Sequence, residues 1–376
     1  MSDALMDAVC DWGIVGNIKA ISFDTTSSNT EKRIGACTLF QQRVGRNVLH
    51  LVYRHHIHEI MLEEAFSITM GPSSGPDILI FKRFKAFWPN IVYSDYKPGN
   101  EVLELLNALA DMLDDMKTFL TGQLEMSHQR EDYRELLELA LLFTGGIPTR
   151  GLIFRKPGII RRARFMAMLI YALKMYIVRD SGFKMTAGKL RGLGEFCVFG
   201  VAVYIKSWFL CRRTTVAPAN DLQLLKCWTS SESQASLGAL RCCWAFVVFK
   251  LRADCTSLFC LDVDAIEKRT VVERLGYKET DDPLKRITVK RSEITKKQLH
   301  DFVTQNTKNF RILSIPDSFL SADAEIWPIN EAYLEAESVV KELHAVNDTA
   351  EGGVALMNDY NALVTKDEEQ INLLCK

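Results

Sequence analysis

The sequence lacks the features that most readily identify a metal centre or a secreted protein. Its 10 cysteines include no Cys-x-x-Cys pair, and the close pair is Cys242-Cys243, so a zinc site is not indicated. No signal-peptide pattern is present, so we expect an intracellular protein with reduced thiols. The formal net charge is only -1, which excludes neither an acidic nor a basic partner.

Long apolar runs are also missing. The most apolar segments are Phe165–Val178, Phe196–Leu210 and Ala239–Leu251, and each contains a lysine or an arginine. Each is shorter than the roughly 20 apolar residues that a membrane-spanning helix requires. We therefore predict that these segments are buried helices and that the protein does not associate with a membrane.

Charge is unevenly distributed along the chain. The segment Arg150–Arg213 has fourteen lysines and arginines against two acids, whereas Glu101–Glu138 is richer in acids. Cations beside aromatic side chains, here Tyr171, Tyr176 and Trp208, are typical of surfaces that follow a phosphate backbone. Alternatively, these cations lie on the wet faces of amphipathic helices and pair with the acidic segments. The candidate nucleic-acid contacts are Arg155, Lys156, Arg161, Arg162, Arg164, Lys189, Arg191, Arg212 and Arg213.

The stretch Ile18–His58 has the pattern of a strand, a helix and a second strand. A short alternating apolar run ends at Asp24 and is followed by a turn rich in Thr, Ser and Asn, then by a helix-like segment. A second apolar run, Val48–Val52, leads into a cluster of histidines. Because ligands of open α/β sheets bind beyond the carboxyl ends of the strands, Asp24 is predicted to face solvent or a metal ion. The alternative is that Asp24 only caps the turn into the next helix.

Helical periodicity dominates the chain from Glu101 to about Leu251, and another helix is predicted at Glu331–Val346. These patterns predict an α/β plus α fold in three parts. Residues 1–70 begin an α/β core that contains Asp24, residues 71–320 form a mainly helical insertion, and residues 321–376 are C-terminal helices that return to the core.

Three motifs, in this order along the chain, resemble those of hAT-superfamily DNA transposases. FDTTSSN at 23–29, with YRHH at 53–56, resembles the family's second catalytic-aspartate region, where a strand, Asp-x-x-x-x-Asn, a helix, a strand and Cys-x-x-His follow one another. RRARFM at 161–166 is similar to the family's Arg-Trp motif, with Phe165 in place of Trp. DTAEGGVAL at 348–356 resembles the segment that carries the catalytic glutamate after a helical insertion.

The resemblance implies a partial RNase H-like α/β core, interrupted by a large all-helical insertion. In that core, carboxylates hold two divalent metal ions for attack on a DNA phosphodiester. Asp24 and Glu351 would be the catalytic and metal-binding carboxylates, and Asn29, His56 and Arg164 the other motif residues. Mg²⁺ or Mn²⁺ is the expected cofactor where that site is intact. This interpretation allows DNA and a second copy of the chain as partners, and implies a nuclear location.

The departures from the family pattern predict a truncated or degenerate copy. No apolar run upstream of Asp24 carries the family's first aspartate, and the acids there lie in a short amphipathic stretch. Tyr53 stands where the family has Cys, and Gly352 where it commonly has Arg. We therefore expect a transposase-derived protein that is catalytically inactive alone and retains nucleic-acid or protein binding.

Other interpretations of the same residues stay open. Glu351 and Asp348 have the spacing of a capping box, and His55, His56 and His58 do not share one helix face, so a hydrogen-bonded structural His56 is favoured over zinc binding. At the level of function, the alternatives are a helical interaction or scaffold protein without nucleic-acid binding, and a metal-dependent DNA strand-transfer nuclease.

Overall fold

A computed structural model describes most of the chain. The described residues are 2–24, 26–31, 34–72, 78–92, 96–102, 107, 110–126, 128, 130–151, 153–158, 166–230, 255–275, 291–303, 308–346 and 353. They are mostly helical, with one small parallel sheet of two strands. The predicted α-rich composition is confirmed, and the RNase H-like core remains a prediction.

The elements are numbered here in chain order. The strands are β1 (Ala20–Phe23) and β2 (Leu49–Val52). The helices are α1 (Ser2–Asp11), α2 (Ser27–Thr30), α3 (Ala36–Val44), α4 (Arg54–Met70), α5 (Leu79–Phe87), α6 (Leu113–Glu125), α7 (Glu131–Phe143), α8 (Ala167–Ile177), α9 (Ala187–Phe199), α10 (Ile205–Leu210), α11 (Ala217–Ser230), α12 (Ala265–Leu275), α13 (Lys308–Leu313) and α14 (Glu331–Val340). A five-residue π-helical turn, Gly200–Tyr204, joins α9 to α10.

The chain divides into two compact units. The first unit comprises Met1–Ile68 and Val203–Val346, and the second comprises Thr69–Ala202 and Asn347–Lys376. The predicted insertion, 71–320, is therefore divided between the units at Ala202. Helical periodicity identifies the face that a helix buries, but not the core in which that face is buried, so this division was not apparent from the sequence.

The predicted strand–helix–strand segment occurs in the first unit. Strand β1 pairs with β2 in parallel, with Ala20 opposite Leu49 and Phe23 opposite Val52, and helices α2 and α3 form the connection. Helix α3 ends at Gly45, whose φ of 70° lies in the left-handed region and whose backbone N–H returns to the carbonyls of Gln41 and Gln42. The parallel pairing places the residues after Phe23 and after Val52 at the same edge of the sheet.

Aromatic side chains fill much of the first unit's core. Phe319 packs edge-on against Trp327 and Tyr333, with ring centroids 5.1 and 5.3 Å apart, and Leu49 of β2 is buried in the same cluster. Asn330 caps the start of helix α14: its side chain accepts a hydrogen bond from the Tyr333 N–H at 3.2 Å. The helix ends at Val340, so the predicted helix at 331–346 is shorter than expected.

The second unit buries the most apolar helices. Helix α8, which matches the predicted buried run at 165–178, has all of its side chains buried except that of Met168. Its one cation, Lys174, pairs with Glu135 of α7 at 2.6 Å, and both side chains are at most 5% exposed. Burying a lysine is tolerated here because its ammonium group is paired with the carboxylate and donates a hydrogen bond to the Arg155 carbonyl oxygen.

Among the described residues, one helical stretch, Ala187–Leu210, is long and apolar enough to cross a membrane. Within its most apolar 18-residue window, 78% is buried inside the protein. Burial of this kind is expected of a core helix and gives little support to a membrane association. The predicted run Ala239–Leu251 lies outside the described residues.

A glycine in α9 provides a test of the second unit's packing. A β-carbon at Gly192 would collide with the backbone carbonyl of Thr69, whereas one at Gly188 in the same helix would meet nothing. We expect Gly192→Ala to lower the free energy of unfolding by about 1–3 kcal/mol, although alanine favours helices. The control Gly188→Ala should raise it by about 0.5 kcal/mol. Urea unfolding measures both, and equal effects of the two substitutions would contradict this packing.

Candidate functional site

Asp24 lies directly after β1, at the carboxyl end of the strand. One of its oxygens, Oδ1, accepts hydrogen bonds from the Thr26 N–H at 2.9 Å, the Thr26 hydroxyl at 2.5 Å and the Asn29 amide at 2.8 Å. Asn29 is buried beneath the turn. The predicted pair, Asp24 and Asn29, is therefore in direct contact, and Asp24 also performs the turn-capping role that was its alternative interpretation.

The environment of Asp24 favours its ionised form. Burial acts to raise the pKa of Asp24, but the hydrogen bonds from Thr26 and Asn29 and the nearby His56 together lower it. Burial lowers the pKa of His56, and the charge of Asp24 opposes that effect. Burial and, secondarily, Asp24 raise the pKa of the Cys37 thiol to about 11. The site thus combines a carboxylate, a neutral imidazole and a protonated thiol.

The fit of a divalent metal ion to this site can be judged from its donors. A hard cation requires several oxygen ligands, and the described residues contain no group of three or more His, Cys, Asp or Glu side chains that could hold a metal ion. Asn29 directs its amide nitrogen, not its oxygen, towards Asp24. The donors in the described part therefore do not fit Mg²⁺ or Mn²⁺. The second predicted carboxylate, Glu351, lies outside the described residues, as does Arg164.

The three histidines of the cluster have different surroundings, as their spacing predicted. His55 stacks on Trp208 with ring centroids 3.7 Å apart, and His58 Nε2 lies 3.1 Å from the Ser207 hydroxyl. His56 instead lies within electrostatic range of Asp24. Hydrogen bonds join His55 and His58 to Trp208 and Ser207 of α10, and both rings are buried. A hydrogen-bonded His56 remains a prediction.

A buried polar network adjoins the histidines and was not predicted. Arg54 pairs with Asp221 at 3.0 Å, with side chains 10% and 7% exposed. Burial raises the pKa of Asp221 to about 6, and Arg54 opposes that effect. The Asn220 amide donates to the carbonyl oxygen and the hydroxyl of Ser207, both at 3.0 Å. No local pattern identifies the Arg54–Asp221 pair, because its members are more than a hundred positions apart in the sequence.

The chain returns to the carboxyl end of the strands near position 345. The Arg54 N–H, two residues after β2, donates to the carbonyl oxygen of Ala345 at 2.9 Å. Thr214 and Leu343 are similarly joined through their backbones at 3.1 Å. Ala345 thus lies beside the edge of the sheet that carries Asp24, six positions before Glu351 in the sequence.

The predicted nucleic-acid contacts have varied environments. Arg155 pairs with Glu131 at 2.5 Å, and the Lys189 ammonium donates to the Met70 carbonyl. Lys156 and Arg191 are exposed. Of the other predicted contacts, Arg212 lies over the Phe209 ring and Arg213 is exposed. The remaining three, Arg161, Arg162 and Arg164, are outside the described residues.

Two observations limit what the basic segment offers as a nucleic-acid-binding surface. Tyr171, Tyr176 and Trp208 are each at most 4% exposed, so none can stack on a base. Arg150 also pairs with Glu138 at 2.5 Å, as the internal-pairing alternative predicted. The apolar face of each helix carries the aromatic residues, which is why nearness in sequence did not place them beside the exposed cations.

A basic helix, α5, was not predicted from the sequence. Phe81 and Phe84 of this helix are buried, whereas Lys82 and Arg83 are exposed. The signal for this amphipathic arrangement is the FKRFK pattern at 81–85.

Comparison of the chain with models of protein families, with curated proteins and with solved structures gives no match. The transposase resemblance therefore depends on the motifs themselves, and the structure describes Asp24, Asn29 and 53–56 of the first one.

The hydrogen bond from Asn29 gives a direct test of the Asp24 site. Asn29→Ala removes one of the donors to Asp24, so the pKa of Asp24 should rise towards its ordinary value. Carboxyl-carbon NMR titration measures this pKa, and Asn17→Ala, on an exposed turn of the same unit, is the control. An unchanged pKa in the Asn29 variant would show that the amide does not act on the carboxylate.

Proposed function

We propose that this protein is a transposase-derived nucleic-acid-binding protein without strand-transfer activity of its own. The observation that carries the proposal is the contact between Asp24 and Asn29 at the carboxyl end of β1. A parallel strand follows after a helix, and His56 lies near Asp24. This is the arrangement that the resemblance implies for the second catalytic aspartate.

The path of the chain supports the same ancestry. Ala345 is hydrogen-bonded next to the end of β2, and the motif containing Glu351 begins three positions later, at Asp348. The resemblance implies that the glutamate follows the helical insertion, and Glu351 has that order in this sequence.

The position of the acidic residues upstream of Asp24 supports the proposed lack of strand-transfer activity. They lie on helix α1, not on a strand, and one of them, Asp3, is paired with Arg43. Two-metal catalysis of phosphodiester chemistry needs several convergent carboxylates. Asp3, Asp7 and Asp11 therefore do not match the family's strand-borne first aspartate.

Exposed cations of the second unit support nucleic-acid binding. Lys156, Lys184 and Arg191 are exposed and form no ion pair with a described residue. Cations of this kind can each neutralise a backbone phosphate and release its condensed counterion. Because such contacts read no base, the proposed binding is independent of sequence.

A second candidate function is a helical interaction protein that does not bind nucleic acid. The internal pairing of Arg150, Arg155 and Lys174 with glutamates of α7 favours it. Each of these pairs removes a cation from the set that could contact a phosphate.

Fluorescence anisotropy with a labelled DNA duplex separates the two functions. The wild type should bind, and Lys156→Glu/Arg191→Glu should weaken binding about tenfold or more, because two phosphate contacts become repulsive. The control Lys296→Glu/Lys341→Glu makes the same charge change at exposed positions of the first unit and should bind like the wild type. In a parallel assay with Mg²⁺ or Mn²⁺, we expect no strand cleavage.

No DNA binding by the wild type, at low salt as well as at physiological salt, would favour the interaction protein. Metal-dependent cleavage that is lost in Asp24→Asn would contradict the assigned absence of catalysis. Equal loss of binding in the test and control variants would mean that DNA affinity depends on the net charge of the protein and not on Lys156 and Arg191.

A further inference from the structure

The first unit contains a basic pocket at the amino ends of the two strands. This basic pocket has a volume of about 520 Å³ and is lined by Gly16, Lys19, Arg46, Asn47, Arg311, Ile312 and Ser314. Lys19 directly precedes β1, and Asn47 lies two positions before β2. Asp24 lies at the opposite end of β1, about 16 Å from Lys19 along the strand at about 3.3 Å per residue. The two sites are therefore distinct.

Lys19 is held in place by an unusual residue at the end of α13. Ser314 has a φ of 57°, and its N–H and that of Ile315 return to Arg311 and Phe310, closing the helix in a Schellman motif. Glycine is the usual residue at this position because a side chain is strained there. Here the serine hydroxyl accepts a hydrogen bond from the Lys19 ammonium at 2.9 Å, which leaves two of the three ammonium hydrogens for a ligand.

Arg46 and Asn47 also retain donors after their protein contacts are counted. Arg46 Nη2 donates to the carbonyl oxygens of Val15 and Gly16 at 2.8 and 3.2 Å, which leaves the Nε and Nη1 hydrogens. The Asn47 side-chain oxygen accepts from Gln41 at 3.2 Å, so its amide N–H groups are donors without a described acceptor. The lining is therefore rich in donors.

Two of the cations that line the basic pocket, Lys19 and Arg46, have no ion-pair partner in the part of the chain that the structure describes. Lys19, Arg46 and Arg311 line it, and none of the described lining residues is acidic. Grouping like charges is unfavourable unless an anion lies between them. Guanidinium and ammonium groups together match the oxygens of a phosphate.

We propose that the basic pocket binds a phosphate group carried by a polar ligand. Its volume is within the 300–1,000 Å³ range of small-molecule sites, which is more than a bare oxyanion needs. A phosphate ester and a backbone phosphate of single-stranded nucleic acid share this chemistry. The proposal rests on the pocket's charge and donors and does not depend on the ancestry or on the DNA contacts assigned to the second unit.

Isothermal titration tests the proposal with three probes: inorganic phosphate, a 5′-nucleoside monophosphate and an oligonucleotide without terminal phosphates. Lys19→Gln/Arg46→Gln should weaken binding of the phosphate-bearing probe at least about tenfold. Ser314→Ala keeps every charge but removes the acceptor that orients Lys19, so a smaller loss of about threefold is expected. The control Lys296→Gln/Lys341→Gln removes the same charge elsewhere in the first unit, and thermal unfolding without ligand checks that each variant is folded.

Preferential binding of the monophosphate would assign a free phosphate ester, and oligonucleotide binding that the pocket variant weakens would assign a backbone phosphate. Either result supports the basic pocket. No binding of any probe to the wild type, or equal binding by the pocket and control variants, would overturn it. Nucleotide binding that needs the pocket, without DNA binding by any form, would support the pocket and contradict the proposed function.

Discussion

Asp221→Ala is expected to lower the free energy of unfolding of the first unit by about 3–5 kcal/mol. Arg54 is 10% exposed and pairs with Asp221 at 3.0 Å, so the substitution leaves an uncompensated charge in the interior. Urea unfolding followed by tryptophan fluorescence measures the change, because Trp208 and Trp327 are both buried in this unit. Asp7→Ala, at an exposed position of α1, is the control and should change the free energy by no more than about 0.5 kcal/mol.

The companion variants show whether charge or packing causes the loss. Arg54→Met/Asp221→Leu removes both charges and fills the space with apolar atoms, so it should be less destabilising than Asp221→Ala. Asp221→Asn keeps the shape of the side chain and one hydrogen-bonding oxygen, so its free energy of unfolding should lie between those of the other two variants. A single Asp221→Ala variant as mild as Asp7→Ala would contradict the ion pair.

Between pH 7 and pH 4, the wild type is expected to lose about 3 kcal/mol more of its free energy of unfolding than His58→Gln does. Burial and, secondarily, Arg54 lower the pKa of His58 from 6.5 to about 3. The unfolded chain therefore binds a proton first as pH falls. The stability that neutral His58 contributes is fully present above pH 6.5 and is lost progressively towards pH 3.

The informative quantity is the difference in unfolding free energy between wild type and His58→Gln at each pH. Other groups titrate in both proteins, so their contributions cancel in this difference. One of them is Asp221, whose raised pKa of about 6 makes it stabilise the folded protein as the pH falls. Ser207→Ala removes the hydroxyl beside His58 but keeps the imidazole, so its pH dependence should follow the wild type. A difference that stays constant from pH 7 to pH 4 would mean that His58 is not buried in its neutral form.

The local part of the candidate site was predictable from the sequence. The run ending at Asp24 alternates as a strand does, the polar turn places Asn29 five positions later, and Val48–Val52 begins the second strand. Parallel pairing across a helix then puts Asp24 at a sheet edge. All of these steps depend on neighbours in the sequence, and the structure agrees with each of them.

The non-local contacts were not predictable in the same way. Lys19 and Ser314 are 295 positions apart, and a lysine before a strand gives no indication of its partner. The exposure of the individual cations in the basic segment was not predictable for a related reason. A count of charge along the chain does not separate Arg155, which is paired with Glu131, from Lys156, which is exposed. Tertiary packing decides which cations reach solvent.

The most direct test of nucleic-acid binding is the salt dependence of DNA affinity of the whole chain. If several exposed cations neutralise phosphates, the logarithm of the association constant should fall linearly with the logarithm of salt concentration. The slope should be about −0.9 for each duplex phosphate contacted. For the three second-unit cations Lys156, Lys184 and Arg191, the predicted slope is about −2.7. A slope near zero, or no binding at low salt, would contradict the account.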